Sequence, residues 1–202
     1  MTGGVRRRLP LLLCLVVLAG CGGGKASVKI PQGFTVRTVA KPALSIALPA
    51  SWLSFGDRSH TSAKSIAGTN ERLRVELETL AQGSSPIKLV GVDPAGGPRT
   101  TTNMNVLQTQ VPPNLTFEQM ARIEATQIKR ASGIKDIRQQ ETSVPAGRAL
   151  HLMYHPRASS VVQQYFVRHD NFLYVLTYTS RTADTARYAK SFDQSAHTFQ
   201  VG

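Results

Sequence analysis

The feature that most constrains the fold of this chain is a series of strand-like segments joined by very short connections. Alternating apolar and polar residues, with many β-branched and aromatic side chains, mark four such segments. The connections between them are too short for a parallel crossover, which needs about a dozen residues. The sequence therefore predicts an antiparallel meander of four strands, at Ile137–Val144, 148–155, 161–168 and 172–179.

Further strands and helices precede and follow the meander. Hydrophobic residues make up 41% of the 202 residues, which is enough for a core in one domain of this size. Strands interrupted by helices and closed by a meander indicate an α+β fold, in which helices flank a mostly antiparallel sheet. We predict one globular domain over 34–202, with a loop at 54–69. Its other predicted strands are 35–39, 43–48, 88–93 and 101–111, and its helices are 70–80, a segment between Thr116 and Gly133, and 184–196.

The central helix has the clearest boundaries. Thr116 and Gln119 form a capping box, and Glu118 suits the positive N-terminus of a helix. Gly133 is the expected residue after the C-terminus. Its predicted buried stripe is Phe117, Met120, Ala121, Ala125 and Ile128. The predicted inward residues of the last helix are Ala189, Phe192 and Ala196, with Phe199 after it.

The first twenty residues have the features of an export signal. Arg6, Arg7 and Arg8 form a positive start, and the almost wholly apolar run 9–18 follows. This run is about half of the ~20 residues that a membrane-spanning helix needs. The next segment, Leu18-Ala19-Gly20-Cys21, resembles the lipobox of bacterial lipoproteins.

That resemblance implies that Cys21 receives a diacylglyceryl group and becomes the N-terminus, with Leu18, Ala19 and Gly20 as cleavage-site residues. Residues 1–20 are then a lipoprotein signal peptide, and 21–33 are a lipidated cysteine with a flexible tether. Acyl chains such as palmitate, two per cysteine, give stable anchoring. The expected location is the outer face of the cytoplasmic membrane, in the cell envelope. The alternative is an ordinary secretory signal that happens to be cleaved near a cysteine.

Processing would change the cysteine and charge content. Cys14 lies in the removed segment, so Cys21 would be the only cysteine of the mature chain and no intramolecular disulfide would form. Loss of three arginines would lower the formal net charge from +12 to +9. The two cysteines of the full chain also exclude a multi-cysteine metal site.

Several segments of the mature chain together resemble one family. They are the strand-Pro-x-x-Trp segment Leu48-Pro49-Ala50-Ser51-Trp52, the central helix, Gly147-Arg148-Ala149 in the meander, the segment 174–179, and a final helix with Phe192 and Phe199. These segments resemble the PsbP-like fold, and most of all the LpqN-type lipoproteins of actinobacteria. The resemblance implies an α-β-α sandwich used mainly as a binding or assembly module. It transfers no active-site residues.

Basic residues form two groups in the sequence. One group surrounds the end of the central helix and the other surrounds the last helix. On an outward-facing lipoprotein, both are candidates for contact with anionic lipid, wall polymer or an envelope protein. The alternative is an ordinary solvated surface, and nucleic acid is not expected because no recognition motif is present. The two groups are Lys129, Arg130, Lys135 and Arg138, and Arg181, Arg187 and Lys190.

Candidate catalytic and metal-binding residues are few. His151 and His155 have the spacing of a zinc-binding helix motif, but on a predicted strand their Cα atoms lie about 13 Å apart. Across the sheet, His169 could approach one of them. No nucleophile elbow and no phosphate-binding glycine loop occur in the sequence. We predict no catalytic residue, metal or cofactor, and we interpret these histidines as structural or solvent-facing.

The sequence therefore favours a non-catalytic, membrane-anchored envelope lipoprotein that acts as a binding or assembly module. One alternative is a carrier of a lipid or small apolar molecule, which requires an enclosed apolar pocket of several hundred Å³. Another is a hydrolytic enzyme, which requires shifted ionisable groups gathered in a cleft. The aromatic residues of the meander are expected to form core or cross-strand pairs, or else to line an apolar groove. They are Tyr154, Tyr165, Phe166, Phe172, Tyr174 and Tyr178.

Overall fold

A computed structural model describes residues 28–56, 78, 86–96, 102–132, 134 and 136–202. Two α-helices and ten strands lie within the described residues, together with short 3-10 turns at Pro94–Gly96 and Thr182–Asp184. The helices are α1 (Phe117–Ser132) and α2 (Thr185–Ala196). The strands are β1 (Phe34–Val39), β2 (Leu44–Pro49), β3 (Leu53–Phe55), β4 (Ile87–Val92), β5 (Asn103–Gln110), β6 (Ile137–Val144), β7 (Gly147–Arg157), β8 (Ser160–His169), β9 (Phe172–Arg181) and β10 (Gln200–Val201).

Seven strands form the main sheet, in the order β3-β4-β5-β9-β8-β7-β6. Every pair in this sheet is antiparallel. The last four strands are sequential neighbours, so the predicted meander is confirmed. β9 then pairs with β5, which joins the meander to the earlier strands of the chain.

A second, three-stranded sheet has the order β1-β2-β10. The last strand pairs with β2, with Val201 opposite Leu44, so the end of the chain returns to its beginning. This sheet packs with α2 on one face of the main sheet, and α1 packs on the other face. The described part of the chain is therefore layered as predicted, with helices on both faces of a mostly antiparallel sheet.

Both faces of the main sheet are buried because successive residues of a strand point to opposite sides. On β8, Tyr165 belongs to the core beneath α2, and the next residue, Phe166, belongs to the core beneath α1. On β7, Leu150 and Leu152 face α1 and leave the intervening His151 on the α2 side, as the alternation of side chains along a strand requires. The aromatic residues of the meander are therefore mostly core residues.

The start and buried face of α1 follow the prediction closely. The backbone N–H of Thr116 donates to Gln119 Oε1 over 2.9 Å, and the N–H of Gln119 donates to Thr116 Oγ1 over 3.2 Å. These are the two reciprocal bonds of a capping box. Phe117, Met120 and Ala121 are buried against β7 and its neighbours, with Ala125 and Ile128 partly buried beside them.

The buried face of α2 differs from the prediction at one position. Phe192 and Ala196 are buried as expected, but Ala189 is exposed and Tyr188 points inward instead. The buried residues Tyr188, Phe192, Ser195 and Ala196 follow the helical spacing of four, seven and eight residues. Tyr188 was not predicted to be buried because its hydroxyl is polar, although its aromatic ring packs in the core.

Several boundaries also differ. β7 continues through Pro156 to Arg157, because a register shift after Tyr154 takes the proline out of the regular ladder. Two short strands, β3 and β10, were not predicted, and β3 begins where a turn and a loop were expected. The predicted helix at 70–80 lies outside the described residues apart from Glu78, and Gly133 lies outside them as well.

One row of paired residues crosses all seven strands near one end of the main sheet. It runs through Leu53, Val92, Asn103, Thr179, Val162, Tyr154 and Ile137. We call this end the hairpin end, because the turn between β7 and β8 lies there. Both helices are aligned along the strands. α1 finishes at the hairpin end, and α2 starts there and runs toward the opposite end, where the N–H of Ala146 donates to Phe199 O.

Candidate functional site

The first basic group predicted from the sequence lies at the hairpin end, on and beside α1. Lys129 and Arg130 are exposed in the last turn of α1, and Arg138 is exposed near the start of β6. Lys129 shares a surface groove with Gln139 of β6, which places the end of the helix beside the start of that strand. Lys135 lies outside the described residues.

The second basic group lies at the same end, on the α2 side. Arg181 ends β9 and pairs with Asp184 over 2.6 Å. The Arg187 guanidinium lies 5.2 Å from the centroid of the Tyr188 ring, and Lys190 is exposed one turn further along α2. Thr182, just before α2, is tied to the β7–β8 turn, because its N–H donates to Ser159 O over 3.0 Å.

The fold thus brings the described members of the two basic groups to one end of the domain, although α1 and α2 cover opposite faces of the sheet. Arg157, at the end of β7, is exposed between them and was not singled out from the sequence. The sequence could have identified Arg157. In an antiparallel meander β7 and β9 run in the same direction, so Arg157 at the end of β7 lies at the same end of the sheet as Arg181 at the end of β9.

At the opposite end of the sheet, one arginine is paired with two carboxylates. Arg148, near the start of β7, donates to Glu118 over 2.9 Å and to Glu141 over 3.0 Å. The same guanidinium lies 4.4 Å from the Phe117 ring centroid. These contacts lower the pKa of Glu118, through its hydrogen bonds to the backbone and to Arg148. The positive charge of Arg148 is therefore balanced locally.

The three histidines considered as a site do not come together. His151 lies opposite Tyr165, and His155 is exposed near the β7–β8 turn. His169 lies at the other end of β8, where its Nδ1 is 3.3 Å from Ala146 O. His169 does not approach either of the other two, because it lies two residues beyond Val167 on β8, whereas His151 pairs with Tyr165.

A different histidine lies closer to His151. The His151 ring stacks on Tyr165 with centroids 4.2 Å apart, and the Tyr165 hydroxyl donates to Asp193 Oδ1 over 3.3 Å. His197 Nδ1 is also 3.3 Å from Asp193 Oδ1, and the ring of His197 meets the edge of Tyr165. Burial lowers the pKa of His151 and raises that of Tyr165. The stacked rings and the hydrogen bond between Tyr165 and Asp193 are a packing arrangement.

A buried carboxylate lies near the start of α2. Asp93 follows β4 and accepts hydrogen bonds from the Tyr188 hydroxyl over 2.5 Å and from the N–H of Ala95 over 2.9 Å. Burial and the hydrogen bond to Asp93 raise the pKa of Tyr188. Trp52 lies against the same tyrosine, with ring centroids 6.4 Å apart. The carboxylate thus fixes α2 on the main sheet.

A surface groove lies between α1 and β6, with a volume of about 360 Å³. Its lining is polar and carries charges of both signs, from Glu118, Arg122, Lys129 and Glu141. β6 is the last strand of the main sheet and pairs only with β7 among the described strands. Its eight residues are paired without a register shift, and the exposed side chains dominate the strand. The groove therefore adjoins a long, regular sheet edge.

A second cavity, of about 210 Å³, lies where β1, β2 and β10 meet the end of the chain. Its lining includes Val39, Leu44 and Val201, and it is open to solvent. Neither of these two cavities is the enclosed apolar pocket that a lipid carrier requires. Among the described residues, no group of three or more His, Cys, Asp or Glu side chains is placed to hold a metal ion. No helix in the described ranges has the length and apolar character needed to cross a membrane.

No protein-family model and no curated protein matches this chain. Solved structures do match it. The solution structure of cyanobacterial PsbP (CyanoP) from Synechocystis sp. PCC 6803 aligns with 92% of this chain and 99% of its own, at 12% identity and a TM-score of 0.53. The fold is PsbP-like.

The same fold likeness extends to the Ran-binding protein Mog1p of Saccharomyces cerevisiae. That structure aligns with 83% of this chain and 95% of its own, at 11% identity and a TM-score of 0.50. Neither of these two proteins is described as an enzyme. At such low identity the likeness concerns the fold alone, which agrees with the PsbP-like resemblance seen in the sequence.

Proposed function

We propose that this chain is a membrane-anchored, non-catalytic envelope lipoprotein of the LpqN type, which binds or assembles with another envelope component. The lipobox-like segment ending at Cys21 supports the anchoring. The PsbP-like fold supports a binding role, since a Ran-binding protein is among the proteins with a similar fold. The non-catalytic role is supported by His151, which lies near Asp193 and His197. Its ring is packed against Tyr165 rather than presented in a cleft.

The observation that carries the binding role is the outer edge of β6, which pairs with no strand among the described residues. An edge strand presents unpaired N–H and C=O groups, and proteins normally blunt such edges with a proline, a bulge, charged side chains or a very short strand. β6 has charged side chains at Arg138 and Glu141, but over its eight residues it has no proline and no bulge. An extended segment of a partner can therefore add to the sheet by forming main-chain hydrogen bonds, which is a recurring mode of peptide recognition.

The groove beside β6 supplies specificity for such a segment. In strand addition, main-chain bonds give affinity and pockets for alternate side chains give selectivity. Glu118 and Glu141 lie toward one end of this groove, and Lys129 lies toward the other. The partner segment we propose is extended, with polar side chains facing this groove.

Site-specific photocross-linking in intact cells tests the binding role. A photoreactive residue at Gln140, exposed in the middle of β6, is expected to capture a discrete envelope protein. The same residue at Ala189, exposed on α2, is the matched control and is expected not to capture it. Absence of any specific adduct at Gln140, or identical adducts at both positions, would contradict the binding role assigned to β6.

The anchoring is tested separately. Mass spectrometry of the mature protein is expected to find diacylglycerol on Cys21 as the N-terminal residue. A Cys21→Ser variant is expected to leave the membrane fraction, because the two acyl chains provide the stable attachment. An unmodified Met1 start, or full sedimentation of Cys21→Ser with membranes, would refute it.

A further inference from the structure

The point at which the chain enters the domain lies at the hairpin end. Phe34, the first residue of β1, is opposite Pro49, and the N–H of Ala50 donates to Gly33 O over 2.8 Å. Three residues after Ala50, β3 begins at Leu53, in the register row that marks the hairpin end. The segment that leads from Cys21 into the fold therefore reaches the domain at this end.

Among the described residues, the charges exposed at this end are mainly positive. The described carboxylates nearby are Asp93, which is buried and bonded to Tyr188, Asp184, which is paired with Arg181, and the exposed Asp136. The cations outnumber them on both sides of the sheet. They are Lys129, Arg130, Arg138, Arg157, Arg181, Arg187 and Lys190.

The width of the hairpin end and the length of the tether are compatible with contact between this end and a bilayer surface. Seven strands with six gaps of ~4.8 Å give this end a width of about 29 Å. Twelve peptide steps separate Cys21 from Gly33, which limits the tether to about 40 Å when fully extended. An anchored domain therefore stays close enough for its hairpin end to reach the bilayer surface. The opposite end lies a full strand length further from the point of entry.

We propose that the hairpin end is a membrane-facing surface that docks on anionic lipid headgroups of the bilayer holding Cys21. This inference rests on the proposed anchoring and adds an orientation to it. A cation near an anionic bilayer contributes about 1 kcal/mol, and its effect falls off within a Debye length of ~8–10 Å. Docking in this orientation leaves the β6–α1 groove at the side of the domain, open to a partner.

Headgroup chemistry is favoured over a wall polymer because the basic end coincides with the entry of the tether. A polymer that approaches from the wall would meet the opposite end first, where Arg148 is already neutralised by Glu118 and Glu141. The lipids implicated are those with a net negative headgroup, such as phosphatidylglycerol.

Vesicle binding by the mature chain with Cys21→Ser tests this surface without the acyl anchor. That chain, from residue 21 onward, keeps every described residue. It is expected to bind vesicles of phosphatidylcholine with 30% phosphatidylglycerol, more weakly as salt rises, and not to bind pure phosphatidylcholine vesicles. Lys129→Gln with Arg157→Gln should weaken binding by about 25-fold, from about fivefold per removed cation.

A charge-matched variant is the control. Lys41→Gln with Arg122→Gln also removes two exposed cations, but one lies in the turn between β1 and β2 and the other lies midway along α1. Its binding is expected to change less than about twofold. Equal weakening by both double variants would overturn the proposal, because only net charge would then matter.

Two other results would also overturn it. One is the absence of binding to the phosphatidylglycerol vesicles at low salt, with circular dichroism showing a folded chain. The other is binding of soluble polyphosphate that depends on Lys129 and Arg157 while the vesicles remain unbound, which would assign the surface to a polymer. Neither result depends on whether Cys21 is acylated in cells, so the docking and the anchoring fail independently.

Discussion

Truncation of Phe192 is the sharpest test of how the layers are joined. This α2 side chain is 2% exposed and lies between three aromatic rings. Its ring centroid is 4.9 Å from that of Tyr178, 5.7 Å from that of Tyr188 and 6.3 Å from that of Trp52. The ring thus joins α2, the main sheet and the connection between β2 and β3.

Phe192→Ala is expected to lower the free energy of unfolding by about 3–5 kcal/mol, the usual cost of removing a fully buried phenylalanine side chain. The rigid sheet on one side and the rings around the site leave little room for collapse. For a domain of this size the corresponding fall in Tm is roughly 6–20 °C. A loss this large is a substantial part of a typical total stability of ~5–15 kcal/mol.

Urea unfolding followed by tryptophan fluorescence measures this effect directly. Trp52 is the only tryptophan of the chain and is buried beside Phe192. Circular dichroism follows the same transition through the backbone. Phe172→Ala is the matched control, since Phe172 begins β9 and is 39% exposed; its expected cost is below about 1 kcal/mol.

Two results would refute the reasoning. If Phe192→Ala cost less than about 1 kcal/mol, the ring would not be the packed centre of this core. If Phe172→Ala cost as much as Phe192→Ala, burial would not be the cause of the difference. A loss of cooperativity seen only by fluorescence would instead show that α2 and the small sheet separate from the main sheet before it unfolds.

Three further predictions concern hydrogen bonds and titration. Tyr178→Phe and Ser195→Ala should each cost about 1–2 kcal/mol, and a double-mutant cycle should give a coupling of about 1 kcal/mol, because their buried hydroxyls bond over 3.0 Å. Thr116→Ala should cost about 1 kcal/mol in urea unfolding by removing the cap of α1. Since burial holds the pKa of His151 below 6.5, the unfolded chain binds its proton more readily, and stability is lost as pH falls through about 6.5. His151→Phe keeps the stacking on Tyr165 and should reduce the fall in urea midpoint between pH 7 and pH 5; an unchanged fall would contradict this assignment.

Local sequence was sufficient where neighbours in the chain decide the structure. The short connections at 145–147 and 169–171 forced the meander to be antiparallel, and the Thr116–Gln119 box marked the start of α1. Alternation along β7 correctly separated Leu150 and Leu152 from His151. Each of these features depends on residues within a few positions of one another.

Tertiary packing decided the features that depend on distant residues. The burial of Tyr188 could not be predicted from nearby residues, because its hydroxyl donates to Asp93, which lies 95 positions away in the sequence. β10 has only two residues, and its partner β2 lies near the start of the domain. The position of His197 beside Tyr165 and Asp193 likewise depends on how α2 crosses the sheet.

The sequence by itself determined the positions of α1, α2 and the longer strands, how the meander pairs, and which segments carry excess positive charge. These properties follow from side-chain periodicity, turn length and composition, which are local. Only the tertiary structure decided that β5 joins β9 and that both basic groups meet where the chain enters the domain. Those positions are set by long-range strand pairing and by the direction of each helix. Both depend on burying the cores on the two faces of the main sheet at the same time, which no single segment determines.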